Sequence, residues 1–306
     1  MKMVIQISAK PLVRIYKMTG PNVIKSISQI INKFDTLILD QWGVLHDGKN
    51  GYLDAINCVK QLKLLNKNLI IISNSSKKKK ESIERLKPLG FNKNDFVEVI
   101  TSGEVIWQEL NKPSISWAKK LKKNYYHIGL KGKSKFFIGL KKNLVKNIKD
   151  ADFLLGTNVD NTISIIDYVP LLKKALEANL PFVCANPDYE SIERTNNKRN
   201  YCMGSIAKLY KNFGGTVHIL GKPSKVIYER AFSSFQNLRK NKIIAIGDSI
   251  PHDIRGAKNF GIKSLLITSG IHKEFFQKKE LIWNKNIDKY EELSVKPDYI
   301  CKKFIY

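Results

Sequence analysis

Four short stretches carry side chains of the kind that handle phosphate and metal ions. LILDQWGVLHDG places Asp40 at the end of an apolar run, with Gly43 close behind, so a carboxylate can meet a ligand at short range. IIISNSS ends in Ser73, Asn74 and Ser75, whose hydroxyls and backbone N–H groups suit phosphate oxygens. LGKPS offers Lys222 as a point charge beside a turn set by Pro223. GDSIPHD supplies Asp248 and Asp253, hard oxygen donors that suit Mg²⁺ with water completing its shell. Singly, each has a plainer explanation. A strand-end Asp is often a turn former or a helix cap, and GKP is often only a turn. Their shared position, just past an apolar run, is what points to one site.

The elements that must position these groups alternate. FDTLILD, NLIIISNSS, FVEVITS, KIIAIGDS and SLLITSGI read as strands. Residues 53–66, 77–88, 224–235 and 253–261 read as helices between them. Residues 21–34, with Val23, Ile24, Ile27, Ile30 and Ile31 on one side, also have the spacing of an amphipathic helix. Continuous apolar strands alternating with helices predict a doubly wound α/β fold with a parallel sheet covered on both faces. Such sheets build sites at the carboxyl ends of their strands. The middle of the chain is again α/β: NYYHIGL, ADFLLGT and PFVCANPD as strands, 167–178 as a helix. The reading is a core domain from 1–102 and 205–306, interrupted by an inserted α/β cap domain from 103–204. PDYICKKFIY adds a last strand and turn.

Composition bounds the function. The chain has 306 residues, 43% of them apolar, enough to bury a sizeable core. No apolar run reaches bilayer-spanning length, so no membrane association is expected. The N-terminal MKMVIQISAKPLVRIYK lacks a signal-peptide core, and Cys58, Cys184, Cys202 and Cys301 show no paired spacing. Reduced thiols in a cytoplasmic protein are the expectation. The net charge of +26 comes from 53 basic and 27 acidic residues. Only seven of the basic residues are Arg, whose planar fork base readers favour, and the Lys residues are spread along the chain. Specific nucleic-acid binding is therefore not expected, and Lys77 to Lys80 read as a solvated helix face. A positive field would still draw in small phosphorylated substrates.

DQWGVLHDG, IIISNSS, CANPD, YCMGSIAKLY, HILGKP and IGDSIPHDIRGAKNFGI together resemble the haloacid dehalogenase-like (HAD) hydrolases. The likeness is to class IIA, with a large α/β cap inserted between the second and third motifs and nitrophenyl-phosphatase-like members. It spans roughly residues 30 to 275. DQWGVLHDG stands where that group usually has a DxD first motif. The resemblance implies Mg²⁺-dependent hydrolysis of a small phosphorylated metabolite through an aspartyl-phosphate. Asp40 would be the nucleophile, and Lys222 would neutralise charge on Asp40 and the phosphoryl group. Ser73, with Asn74 and Gly43, would bind the phosphoryl. Mg²⁺ would sit among Asp40, the backbone carbonyl of Trp42, Asp248 and Asp253, the last either direct or through water. A homodimer is compatible with this reading.

Trp42 occupies the position where the family's phosphatases normally carry a second Asp as general acid and base. Indole donates only an N–H and cannot take a proton from water, while general acid–base catalysis is typically worth about 10²–10⁴-fold. Three explanations stand side by side: substrates with good leaving groups, a substitute donor such as His46, Asp47 or a cap residue, or a catalytically weakened relative that binds a phosphorylated ligand. Asn186 and Asp188 in the NPD turn, with Tyr189, are either substrate-facing groups or turn formers. Tyr125, Tyr126 and His127 read as strand packing.

Overall fold

Leu37 and Leu39 of one strand pack on one side of a sheet, and Ile38 between them packs on the other. That two-residue alternation, with both sides apolar, produces a strand buried on both faces. The structure, a computed structural model, describes residues 20–130, 134–195, 198–276 and 295–306. The N-terminal reading above lies outside the described residues. No helix among those described is long and apolar enough to cross a membrane.

The strands are β1 (Asn22–Val23), β2 (Thr36–Leu39), β3 (Asn68–Ser73), β4 (Glu98–Thr101), β5 (Asn124–Ile128), β6 (Asn143–Leu144), β7 (Phe153–Gly156), β8 (Phe182–Cys184), β9 (Glu190–Thr195), β10 (Lys198–Tyr201), β11 (Val217–Ile219), β12 (Ile243–Gly247), β13 (Lys263–Ile267) and β14 (Tyr299–Cys301). The helices that matter for packing are α1 (Leu53–Leu64), α2 (Lys79–Leu86), α3 (Ser102–Asn111), α4 (Ser116–Lys120), α5 (Val169–Glu177), α6 (Met203–Asn212), α7 (Lys225–Ala231) and α8 (Arg255–Phe260).

The larger sheet has seven parallel strands in the order β1-β14-β13-β12-β2-β3-β4. One face is covered by α1 and by Leu86 of α2, the other by α3, α7 and α8. The smaller sheet has five parallel strands in the order β11-β8-β7-β5-β6. Its Leu154 and Phe182 pack on α5 and α6. Its opposite face, with Phe153, Leu155 and Val183, joins the cluster that includes α3 and α7 of the larger unit. A two-stranded antiparallel hairpin, β9–β10, hangs between β8 and α6.

Two expectations are corrected. Residues 21–34 are not an α-helix: β1 is followed by two 3₁₀ turns, Ile27–Gln29 and Ile31–Lys33. Ile24, Ile27 and Ile30 are buried as the pattern demands, but a three-residue repeat is met equally by a 3₁₀ turn, and β-branched Ile is not a strong helix former. The backbone N–H of Ile24 instead donates to Ile300 O of β14. The return to the core is also later than residue 205. Both α6 and β11 belong to the smaller sheet, so by sheet membership the chain re-enters the core only after Ile219.

The cooperativity of the larger sheet should be visible at Ile71, fully buried in β3. Ile71→Ala is expected to lower the unfolding free energy by about 2–5 kcal/mol, read from the midpoint of a denaturant titration.

Candidate active site

The register of the larger sheet brings the first groups together. β12 and β2 are neighbours, with Ile246 opposite Leu39, so Asp40 and Asp248 leave the sheet side by side. The Asp40 N–H donates to Ile246 O at 2.9 Å. After Ser249 the chain makes a single π turn, Ile250–Ile254, which swings the Asp253 side chain back toward β12. Asp253 Oδ2 there accepts the Ser249 N–H at 3.0 Å. Asp40, Asp248 and Asp253 are all buried, with one oxygen of each within 4.8 Å of the others.

Lys222 answers this charge. Its ammonium, 3% exposed, donates to Asp40 Oδ1 and to Asp253 Oδ1, each at 2.6 Å. Burial opposes the charged amine, but Asp253 and Asp40 outweigh it and hold its pKa well above the usual lysine range. Burial also pushes the Asp40 carboxyl up to about 7, helped by Asp253 and Asp188 and opposed by Lys222. Asp248 is raised well above the ordinary carboxylate range, by burial first and then by Asp40 and Asp253. Three buried carboxylates share one ammonium, so the cluster is short of positive charge. Hard oxygen donors this close fit a small divalent cation, with Asp40, Asp248 and Asp253 as the side chains that would hold it.

Asp248 is seated by the Ile271 N–H, which donates to Oδ2 at 2.7 Å. Its other neighbour explains Gly43. That residue has φ of +79°, and a Cβ there would lie 1.9 Å from Asp248 Oδ2. Gly43 thus makes room for Asp248. Trp42, beside it, forms a short bridge with His46 through the Gly43 N–H and the Gln41 carbonyl, leaving the Trp42 carbonyl out of that pair.

The smaller sheet closes the cleft from above. Asn158 follows β7, Asn186 and Asp188 follow β8, and Lys222 follows β11, so the carboxyl ends of both parallel sheets meet across one space. The cleft holds about 290 Å³ and is lined by Asp40, Trp42, Ser75, Ser76, Lys77, Arg85, Asp188, Glu190, Glu193, Lys222, Asp248 and Asp253, among others. Asp40, Lys222, Asp248 and Asp253 converge, and Trp42, Asn186 and Asp188 line the same space. Ser73 and Asn74 lie a layer behind the wall. Ser73 Oγ accepts the Ser75 N–H at 3.3 Å. The Asn74 amide straps Lys222, accepting its N–H at 2.7 Å and donating to its carbonyl at 3.1 Å. Tyr189 faces a different cavity.

Other positions differ from expectation. Lys77 is not on a solvated face: it is half-buried in the cleft wall, and burial and Arg85 lower its pKa. His46 packs edge-on against Trp42, with Arg85 over the indole ring. Its Nδ1 accepts the Gly48 N–H, and burial, with Arg85, lowers its pKa to about 4. Both effects favour its neutral form. Asp47 is spent on its own turn, accepting the Lys49 and Asn50 N–H groups. Sequence reading missed the β9–β10 hairpin and its Glu190 and Glu193. The strand sequences ESIERT and KRNY are polar at nearly every position, so no apolar alternation marked them.

Two family profiles match: one described as haloacid dehalogenase-like hydrolase, over residues 37–153, and one as HAD-hydrolase-like, over residues 219–305. The chain belongs to the haloacid dehalogenase-like hydrolases. This HAD-like hydrolase is 25% identical to a 4-nitrophenylphosphatase of Schizosaccharomyces pombe, over 84% of its own length and 90% of the relative's. A haloacid dehalogenase-like family hydrolase from Brucella suis shares its fold with a TM-score of 0.77 and 25% identity, covering 92% of this chain and 100% of that one. A glycerol phosphate phosphatase from Mycobacterium tuberculosis, solved with magnesium, superposes with a TM-score of 0.62 at 20% identity, covering 90% and 76%.

Two measurements check this geometry. Gly43→Ala should leave the fold intact but displace Asp248, weakening divalent-cation binding in calorimetry; unchanged affinity would mean the turn relaxes without moving that carboxylate. The His46 ring resonances should not titrate between pH 8 and pH 5.5, since a pKa lowered from 6.5 to about 4 leaves the neutral form dominant across that range.

Proposed function

We propose that this HAD-like hydrolase is a Mg²⁺-dependent phosphatase for small phosphorylated metabolites, working through an aspartyl-phosphate on Asp40. The observation that carries the reading is the Lys222 ammonium held between Asp40 and Asp253 at the floor of a cleft. An anionic nucleophile must approach an anionic phosphate, and a buried cation beside it removes much of that repulsion. The phosphatase names of the relatives and the magnesium in one solved neighbour support the same reading.

Asp40 would attack phosphorus in line as the bond to the leaving alcohol breaks, and water would then release phosphate from Asp40. Lys222 keeps the Asp40 carboxylate oriented and balances charge as it moves onto the phosphoryl oxygens. The Ser75 hydroxyl, in the cleft wall, would receive those oxygens, whereas the Ser76 hydroxyl donates to Asn158 Oδ1. Asp40, Asp248 and Asp253 would hold Mg²⁺, which when bound offsets the remaining negative charge. The polar walls and the cleft volume suit a small phosphate ester.

A second reading, a phosphorylated-ligand binder with little turnover, is favoured by Trp42, whose indole is packed between Arg85 and His46 and offers no proton acceptor. The two separate cleanly. With 4-nitrophenyl phosphate and Mg²⁺, the wild-type protein should release nitrophenolate, and Asp40→Asn should lower that release by at least about 10³-fold. Undiminished turnover by the variant would place the nucleophile elsewhere. A wild-type protein that binds phosphate esters but releases nothing would favour the second reading.

A further inference from the structure

We propose that Asp188, delivered by the smaller sheet, is the general acid and base of this reaction, in place of the group that Trp42 cannot supply. The inference rests on the phosphatase reading of the same site. Hydrolysis of an ester with a poor leaving group needs a proton delivered to the departing oxygen and later taken from the attacking water. The cleft leaves few groups free for that work. Asp40 is the nucleophile, Asp248 and Asp253 face the cation position, and the amine of Lys222 is committed to Asp40 and Asp253. Glu190 pairs with Arg199 at 3.4 Å. Glu193 stands at the outer wall, near Gly48 and the Trp42 ring.

Asp188 differs from all of these. Its Oδ1 accepts the Asn74 side-chain N–H at 2.7 Å, from the same amide that grips the Lys222 carbonyl. One hydrogen-bonded step therefore separates it from the residue that holds Asp40. Among the described residues its Oδ2 takes no hydrogen bond, and its side chain is about one-third exposed, in the cleft. Its charge acts on both Asp40 and Lys222. His252 fixes the loop that carries it: Nε2 donates to Pro187 O at 3.0 Å, while Nδ1 takes the Ser249 hydroxyl at 2.8 Å. One oxygen is anchored and the other is available, as a proton carrier requires.

The steps balance. As Asp40 attacks phosphorus and the P–O bond to the alcohol breaks, protonated Asp188 gives its proton to the leaving oxygen. The resulting carboxylate then takes a proton from water as that water attacks phosphorus. The bond between Asp40 and phosphorus breaks, releasing inorganic phosphate and restoring both carboxyl groups.

Asp188→Asn is the decisive variant, because its amide oxygen still accepts from Asn74 and the fold should persist; a thermal midpoint within a few degrees of wild type checks this. Asp188→Glu keeps a carboxyl as a second probe. Wild type and variants are compared on aryl phosphates of increasing leaving-group pKa, with Mg²⁺. For Asp188→Asn we expect a stoichiometric nitrophenolate burst from 4-nitrophenyl phosphate, then turnover slowed by about 10²–10⁴-fold. The rate of its burst phase, which reports departure of the alcohol, should fall more steeply with leaving-group pKa than the wild-type burst rate. Asp188→Glu should recover part of the loss. Wild-type post-burst rate and leaving-group dependence in Asp188→Asn would overturn the inference and leave the phosphatase reading intact. Absence of any burst or release from the wild-type protein would overturn both.

Discussion

The site is organised by an imbalance of charge. Three carboxylates are taken out of water at the end of the larger sheet and given one ammonium between them. Burying ions is costly, and an ion pair offsets that cost only when its geometry is close and its remaining lone pairs are satisfied. The surroundings meet that condition where they can. Backbone N–H groups of Ser249 and Ile271 reach Asp253 and Asp248, and the Asn74 amide holds Lys222 in place. What is still missing is positive charge, which a bound dication would supply.

The fold makes this arrangement achievable with few residues. Parallel strands end in the same direction, so groups far apart in sequence emerge together. β2 and β12 deliver Asp40 and Asp248 as immediate neighbours. The second sheet repeats the device from the opposite side and supplies Asn158, Asp188 and Lys222. The floor thus gathers the charge and the roof closes over it, and shared apolar packing around α3 and α7 keeps the two in register.

Much of this was legible in the sequence. Continuous apolar runs marked the parallel strands because both of their faces are buried, and a polar residue after each run marked the rim. Asp40, Lys222, Asp248 and Asp253 were readable for that reason. Where the chain was misread, local pattern admitted two structures. The Ile24, Ile27, Ile30 spacing fits a 3₁₀ turn as well as an α-helix, and the polar hairpin has no apolar face to betray it. Asn74 looked like a phosphate ligand, yet it straps the Lys222 backbone, a long-range contact that no local window contains. Lys77 lay within a run of four lysines, and nothing in the run distinguishes the one that turns into the cleft.

The double grip of Asn74 on Lys222 has a mechanical consequence. Lys222 sits on the segment that links the two sheets, yet its peptide group is tied to the end of β3, and Gly221 leaves no side chain to hold the amide away. If the roof swung outward, the ties to yield would be the Asn74–Asp188, His252–Pro187 and Ser76–Asn158 bonds, while the ammonium stayed at its post beside Asp40. The molecule is latched along one rim and bolted at Lys222. Substrate could then come and go without the electrostatics of the floor being rebuilt in every cycle.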